Sequence, residues 1–215
     1  MLSRREADAP FPAETRLEAL RYVVVDTELT SLDSLSNRIL SIGAIAMEGG
    51  KIRLGEQFYC VVDPGVPVPV ETILIHGLRP IDVIEGKSPN DAVAEFLHFS
   101  QGAVLVGHFI SIDLAALKKE LPSEAQVLDR PALDTARIQR WLDMRRNAYQ
   151  EDRGHHVESV DLASLAMRYK LEVREAHHAL YDAFLTAQLW QRLMAELALR
   201  KVRTWGELMR IGKAK

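Results

Sequence analysis

The sequence predicts an α/β fold in which a mixed sheet is covered by helices. Two observations carry this prediction. Apolar, β-branched segments come first and are joined by a tight turn, which is typical of antiparallel strands. Further along, a short apolar segment is followed by helical patterns, which is typical of parallel strands with helical connections. The 215 residues are enough for one sizeable core, and 47% hydrophobic content suits an ordinary globular domain.

Three strands are predicted in the first part of the chain. Arg21–Thr27 is a β-branched run that indicates a buried strand. Asn37–Glu48 is the second strand, Gly49-Gly50 forms a hairpin turn, and Ile52–Val62 is the third strand. The prolines of residues 64–69 then indicate a loop.

The later elements are one strand and several helices. Ala103–Val106 is predicted as the fourth strand. Ser88 and Pro89 open an amphipathic helix that covers residues 88–99. The other predicted helices are Ser111–Glu120, Leu133–Leu142, Ser159–Tyr169, His178–Leu199 and a short last helix that Thr204 caps.

The predicted organisation has three parts: an N-terminal arm (1–18), a main domain (19–200) and a C-terminal tail with a short helix (201–215). No segment has the apolar length of a signal peptide or of a membrane span, so no membrane partner is expected. The single cysteine, Cys60, excludes an internal disulfide, and a cytoplasmic location is the default expectation.

The charge balance argues against a protein that merely coats nucleic acid. The net charge is −3, whereas binding through phosphates alone favours a basic chain. A local basic stretch nevertheless runs through the second half. It could follow a phosphate backbone or be a solvated helix face, and both interpretations stay open; its members are Arg137, Arg140, Arg145, Arg146 and Arg153.

Two carboxylates end the first predicted strand. Asp26 and Glu28 are two residues apart, so their side chains point to the same face. Like charges this close are costly unless a cation joins them, and a divalent ion that prefers oxygen ligands would do so. The alternative is that Asp26 caps the strand end while Glu28 is simply exposed.

Two further acidic residues begin predicted helices. Asp113 follows the turn at Gly107-His108 and lies in the first helical turn, where a carboxylate also suits the helix dipole. Asp182 lies beside a ridge of small residues, so it is carried inward as the helix approaches the sheet; the ridge is Ala179, Ala183 and Ala187.

Together these segments resemble the three motifs of the DEDDh 3′→5′ exonucleases, the family of the proofreading epsilon subunit of bacterial DNA polymerase III, RNase T and oligoribonuclease. The first motif is Asp26-Thr27-Glu28, and the second is Gly107-His108 with Asp113. The third comprises His177, Ala179-Leu180 and Asp182-Ala183. The resemblance runs from Arg21 to Leu199, with weaker agreement at Ile75-His76-Gly77 and Leu133-Asp134-Thr135.

The resemblance implies a ribonuclease-H-like, five-stranded mixed sheet flanked by helices. It also implies two divalent cations, Mg²⁺ or Mn²⁺, held by Asp26, Glu28, Asp113 and Asp182, with Asp26 bridging both. His177 would be the general base, rather than the neighbouring His178. The reaction would release nucleoside 5′-monophosphates from the 3′ end of single-stranded DNA or RNA.

The expected substrate contacts are Thr27, Leu29, His108 and Phe109, and Leu29 could instead be a core residue. Some positions depart from the family pattern, which affects the expected 3′-end pocket but leaves the ligands intact. These positions are Leu29-Thr30-Ser31, Ser41, Phe109 and Ile112.

Several alternatives stay open. The chain could be an inactive binding or scaffolding module, although it keeps all four carboxylates and His177. It could be another metal hydrolase, but the sequence has no nucleophilic Cys or Ser motif. Zinc held by the pairs His155-His156 and His177-His178 is disfavoured because no cysteine partner accompanies them. The choice between DNA and RNA, a DNA polymerase partner and the oligomeric state are also open.

Overall fold

The computed structural model contains one five-stranded mixed sheet with the strand order β3-β2-β1-β4-β5. Strands β1, β2 and β3 are antiparallel neighbours, whereas β4 and β5 run parallel to β1. The strands are β1 (Arg21–Leu29), β2 (Ile39–Glu48), β3 (Lys51–Val61), β4 (Val104–Gly107) and β5 (Ala132–Asp134). The structure describes residues 11–31, 33, 35–121, 130–147, 159–174 and 177–212.

Helices cover both faces of this sheet, which confirms the predicted α/β architecture. A short 3₁₀ helix, Leu17–Ala19, precedes β1. The α-helices are α1 (Val70–His76), α2 (Pro80–Ile84), α3 (Pro89–Phe99), α4 (Ser111–Lys119), α5 (Thr135–Asn147), α6 (Leu162–Arg168), α7 (Ala179–Leu199) and α8 (Trp205–Gly212). Within the described ranges, no helix combines the length and the apolar character that crossing a membrane would need.

The alternation of side chains along β1 divides the core into two layers. Tyr22 and Val24 point to the face that α5 and α7 cover. Val23 and Val25 point to the other face, against α3 and α4. All four are almost completely buried. Because helices cover both faces of the central strand, its sequence is continuously apolar and does not alternate between apolar and polar residues.

Helix α7 crosses the sheet at very short range. The alanines of the predicted ridge, Ala179, Ala183 and Ala187, are fully buried. Opposite them lies Gly43 of β2, where a Cβ atom would be 2.1 Å from the backbone nitrogen of Leu180. Small residues on both surfaces therefore set the height at which the first turn of α7 rests on the sheet.

The predicted helix Leu133–Leu142 is wrong in its first two residues. Leu133 and Asp134 belong to β5, where Leu133 pairs with Val106 of β4, and α5 begins only at Thr135. A strand of three residues is too short to show an alternating pattern in the sequence. It is a strand only because it pairs with β4. The helices α1 and α2 were also missed, since prolines at their starts indicated only a loop.

The other predicted bounds agree within about three residues, except that α5 ends at Asn147 rather than at Leu142. Ser88 caps α3 through a bond from the backbone nitrogen of Asp91, as predicted. Helix α6 starts at Leu162 rather than Ser159, because Asp161 is its N-cap. His178 is likewise the N-cap of α7 rather than its first residue.

The two terminal segments pack together against the main core. The backbone nitrogen of Trp205 donates to the carbonyl of Thr15 at 2.8 Å, and that of Gly206 donates to Ala13 at 2.8 Å. Leu17 and Trp205 both join the core layer that includes α7. The division at residues 18 and 201 stays a prediction, and residues 1–10 and 213–215 lie outside the described ranges.

Candidate active site

Three carboxylates meet where β1 ends and α7 begins. Asp26 and Glu28 share one face of β1, and Asp182 lies in the first turn of α7. One oxygen of each comes within 4.8 Å of the other two, and each residue is partly buried. Asp26 pairs across the sheet with Gly43, the residue over which α7 passes. The close approach of α7 therefore brings Asp182 to the strand carboxylates.

The carboxylate of Asp182 is oriented by the backbone before its helix. Its Oδ2 accepts a hydrogen bond from the backbone nitrogen of His177 at 2.8 Å. His177 adopts a left-handed backbone conformation with φ 65°, which turns the chain into α7. The residue predicted as general base is thus coupled through its backbone to a predicted metal ligand.

Asp113 is the fourth predicted ligand, and it is held by Thr27 of β1. It is only 5% exposed, and its Oδ1 accepts bonds from the backbone nitrogen of Thr27 at 2.9 Å and from the Thr27 hydroxyl at 2.6 Å. Thr27, predicted as a substrate contact, therefore uses its hydroxyl to orient Asp113. Both bonds end on Oδ1, so the other carboxylate oxygen of Asp113 is available for another partner.

Burial raises the pKa of every carboxylate in this cluster, and repulsion from the other carboxylates raises the pKa of Asp26 and Glu28 further. Burial, then Asp113, Asp182 and Glu28, raise the pKa of Asp26 well above its usual range. Burial, then Asp182 and Asp113, raise that of Glu28 to about 7. Burial raises the pKa of Asp113 to about 7 against the opposing bonds from Thr27. Burial also raises the pKa of Asp182 against the His177 backbone bond.

The residues present fit a divalent cation. Oxygen-only donors match Mg²⁺ and Mn²⁺, whereas zinc usually takes His or Cys ligands. Bound cations would also relieve the repulsion that contributes to the raised pKa values of Asp26 and Glu28. Among the described residues, the cluster that could hold a metal ion consists of carboxylates and contains no histidine or cysteine. The pair His155-His156 lies outside those ranges.

The two adjacent histidines have different environments. His177 is exposed, whereas His178 is half-buried. The ring of His178 stacks on Tyr59 with centroids 4.8 Å apart and planes 19° apart. Its Nδ1 is enclosed and lacks a hydrogen-bond partner within the described part of the chain. His178 therefore packs on β3, while His177 is free to face solvent beside Asp182.

The second motif forms a turn that β5 and α5 support. His108 Nδ1 and the Thr135 hydroxyl are 2.8 Å apart, and that hydroxyl donates to the Gly107 carbonyl at 3.1 Å. The backbone nitrogen of Phe109, whose φ is 55°, donates to Asp134 Oδ1 at 3.2 Å. Asp134 and Thr135 therefore fix the turn that leads to Asp113. Sequence reasoning noted this pair as a weak agreement and assigned it no role.

His76 is a second residue whose role the sequence did not indicate. Its Nδ1 accepts a bond from the backbone nitrogen of Leu78 at 3.0 Å. Burial lowers the pKa of His76, and the nearby His177 lowers it further. His76 therefore lies near His177 of the third motif.

Leu29 follows the carboxylates but points into the core. It is only 9% exposed and packs in the layer that contains Val25 and Ile39. This packing favours the core role among the two roles that the sequence left open. The contacts of Thr27, Leu29, His108 and Phe109 with a substrate stay predictions.

Comparison with known proteins identifies relatives. A family model described as "Exonuclease", of the RNase T type, matches residues 23–190. A DNA polymerase III subunit epsilon-like protein of Rhodobacter capsulatus is 30% identical over 198 residues, which are 92% of this chain. DNA polymerase III PolC-type of Lacticaseibacillus paracasei is 30% identical over 183 residues. The chain spans 27% of the first relative's length and 12% of the second's.

Solved structures share the fold at low sequence identity. Exonuclease X in complex with 5′ overhanging duplex DNA aligns with a TM-score of 0.60 and 22% identity, covering 82% of this chain and 91% of that one. E. coli Exonuclease I in complex with a dT13 oligonucleotide aligns with a TM-score of 0.71 and 15% identity, covering 85% and 42%. These structures confirm the ribonuclease-H-like sheet that the motifs implied. Since the family model covers most of the chain, this protein belongs to the exonuclease family.

Proposed function

We propose that the chain is a metal-dependent 3′→5′ exonuclease that removes nucleoside 5′-monophosphates from single-stranded nucleic acid. The observation that carries this proposal is the meeting of Asp26, Glu28 and Asp182, with oxygens within 4.8 Å of one another, in a chain of the exonuclease family. An inactive module would have no use for three converging carboxylates whose repulsion opposes folding.

The proposed cofactors are two Mg²⁺ or Mn²⁺ ions held by Asp26, Glu28, Asp113 and Asp182. When bound, such ions activate water and stabilise the charge that develops on the phosphate. The chain contributes the positions of the ligands. Thr27 orients Asp113, and the backbone nitrogen of His177 orients Asp182.

His177 is the proposed general base, which accepts a proton from the attacking water. A general base must reach that water and change protonation near neutral pH, as an imidazole can. Its exposed position beside Asp182 supports this role, and the stacking of His178 on Tyr59 argues against the neighbour. His76 lies near His177, which, after burial, lowers the pKa of His76.

The proposed substrate is a single strand with a free 3′ end. The relatives named above are DNA polymerase III proteins, and the structural neighbours were solved with DNA. On this basis single-stranded DNA is the first substrate to test, with RNA as the alternative. A DNA polymerase as partner and a cytoplasmic location are further parts of the same proposal.

Metal dependence is the first test of this function. We expect exhaustive chelation to abolish cleavage of a single strand, and Mg²⁺ or Mn²⁺ to restore it. Asp26→Ala and Asp182→Ala should each lower the rate by orders of magnitude, since intact ligands position the ions. Glu14→Gln, which changes an exposed carboxylate outside the cluster, is the matched control. Full activity after chelation, or more than about a tenth of the rate in either ligand variant, would contradict the proposal.

A substrate panel separates the remaining alternatives. Single-stranded DNA, duplex DNA, RNA and a covalently closed single-stranded circle are each incubated with the full chain and Mn²⁺. We expect the linear single strands to be degraded and the circle to survive, because an exonuclease needs an end. A chain that binds the strands but hydrolyses none of them would instead be a binding module.

A further inference from the structure

The arginines of α5 form a row outside the carboxylate site, in which Arg140 and Arg145 are exposed and Arg137 and Arg146 are half-buried. Arg137, Trp141 and Arg145 follow at intervals of four residues, so they share one helix face. The Arg145 guanidinium lies 5.1 Å from the centre of the Trp141 ring. Near the middle of the helix, the Arg140 guanidinium lies 5.8 Å from the centre of the Phe109 ring. The row therefore begins at the second-motif turn and leads away from the active site.

The row ends at an open groove between α5 and the C-terminal end of α7. The groove encloses about 770 Å³, and its polar and aromatic lining consists of Trp141, Arg145, Arg146, Arg200, Lys201 and Glu207. Four of these six side chains are cationic in a chain whose net charge is −3. Positive charge is thus concentrated on this face.

Some cations in the groove are already neutralised by neighbours. Arg200 pairs with Glu196 at 2.8 Å, and Arg146 lies 3.6 Å from the same carboxylate. Glu207 accepts bonds from the backbone nitrogens of Arg203 and Thr204. These contacts stabilise the walls of the groove, so they are not evidence that it binds a ligand.

Other cations have no such partner among the residues that the structure describes. Among the described residues, no carboxylate lies within 4.0 Å of the charged groups of Arg137, Arg140, Arg145 or Lys201. Arginine guanidinium groups bind phosphates with fixed geometry, and an aromatic ring beside them can stack on a base of any sequence. The unpaired cations and Trp141 thus offer the two contacts that a nucleic acid strand uses.

The distance from the active site fits a bound strand. Asp182 and Leu199 lie at opposite ends of α7, 17 residues apart, which corresponds to about 25 Å of helix. If the single strand is stacked with the spacing of one strand of a duplex, about 3.4 Å along the axis, about seven phosphates span that distance. A strand with its 3′ end at the carboxylates can therefore reach the groove.

We propose that Arg137, Arg140, Trp141, Arg145 and Lys201, here called the α5 track, bind the substrate strand upstream of its 3′ end. This inference rests on the proposed function. The track would hold the backbone about five to eight nucleotides from the cleaved bond. It would strengthen binding of long strands without sequence preference and without taking part in the hydrolysis.

The test compares Arg145→Gln/Lys201→Gln with the wild-type chain on a 20-nucleotide strand and on a trinucleotide. The control Lys51→Gln removes an exposed positive charge at the β2–β3 hairpin. Each phosphate contact on a single strand contributes a slope of about −0.7 in log affinity against log salt, or about fivefold at 0.1 M salt. We expect the double variant to raise KM for the 20-mer about 25-fold and to reduce the salt slope by about 1.4. Hydrolysis of the trinucleotide, which cannot reach the groove, should stay unchanged.

Neutral methylphosphonate linkages locate the contact along the strand. Placed about five to eight nucleotides from the 3′ end, they should weaken binding of the wild-type chain but not of the double variant. Equal effects of the linkages on both proteins, or an unchanged KM for the 20-mer, would overturn the proposal and leave the face free for another partner. Equal loss on both substrates would overturn it too, since the groove would then act through the fold. Failure of the wild-type chain to hydrolyse even the trinucleotide would instead contradict the exonuclease function.

Discussion

At the scale of single residues, the two adjacent histidines give the sharpest distinction. His177 is exposed and bound through its backbone to Asp182, whereas His178 is stacked on Tyr59. We expect His177→Asn to lower the single-turnover rate by roughly 10²–10⁴-fold, the usual contribution of a general base. Asparagine is chosen because it tolerates the left-handed conformation of this position.

The matched variant is His178→Ala, which removes the stacking but should leave the rate within a few-fold of wild type. Both variants should still bind a single strand. If the His178 variant is the inactive one and the His177 variant is not, the third motif has been assigned in the wrong register.

Much of the site could be predicted from the sequence, because the proposed metal ligands lie at the starts and ends of regular elements. The spacing of Asp26 and Glu28 predicted a shared strand face, and the alanine ridge predicted that Asp182 would be carried inward; the structure confirms both placements. The roles of Asp134 and Thr135 could not be predicted, since they depend on which loop lies beside β5. The inward packing of Leu29 likewise depends on residues distant in sequence.

At the scale of elements, the contact between β2 and α7 determines whether the site assembles. A Cβ at Gly43 would lie 2.1 Å from the Leu180 nitrogen and 2.2 Å from the Ala179 carbonyl carbon, both backbone atoms. We expect Gly43→Ala to push the start of α7 away from the sheet. It should cost about 1–3 kcal/mol of unfolding free energy, as overpacking usually does, and raise the metal concentration needed for half-maximal activity.

Gly55→Ala in β3 provides the control, because a Cβ there meets nothing within 4 Å. Chemical denaturation and metal titration of the two variants test the prediction. Equal stability and equal metal requirement would show that the height of α7 does not control the position of Asp182.

The elements differ in how far their sequence predicts them. The central strands and α3 were predicted well because burial and capping residues mark them locally. Strand β5 was taken for the start of a helix because its three residues are strand only by pairing with β4. Helices α1 and α2 were missed because the prolines before and at their starts indicate a loop as readily as a helix start.

At the scale of the whole molecule, the carboxylates couple folding to pH and metal. Without metal, Glu28 has a pKa near 7 against an ordinary value of 4.5, so the folded state keeps a proton that the unfolded state loses. Its contribution to stability is therefore complete below about pH 4.5 and is lost as pH rises through about 7. In EDTA, we expect the wild-type chain to lose thermal stability relative to Glu28→Gln between pH 5 and pH 8.

Added Mn²⁺ should reverse this loss at pH 8, because a ligand that binds only the folded state stabilises it. The Glu28→Gln variant should gain less, since it has lost a ligand oxygen. Melting curves of the two proteins that stay parallel across pH, with equal shifts on metal addition, would mean that Glu28 neither repels its neighbours nor binds the ion.

The direction of digestion tests the central claim most directly. A 20-nucleotide single strand, labelled in separate samples at its 5′ or its 3′ end, is followed over time with the full chain and Mn²⁺. The proposed 3′→5′ exonuclease should release the 3′ label first as a mononucleotide, while the 5′-labelled strand shortens stepwise. Early release of the 5′ label, internal cuts in either sample, or intact strands under conditions in which the protein is folded would contradict it.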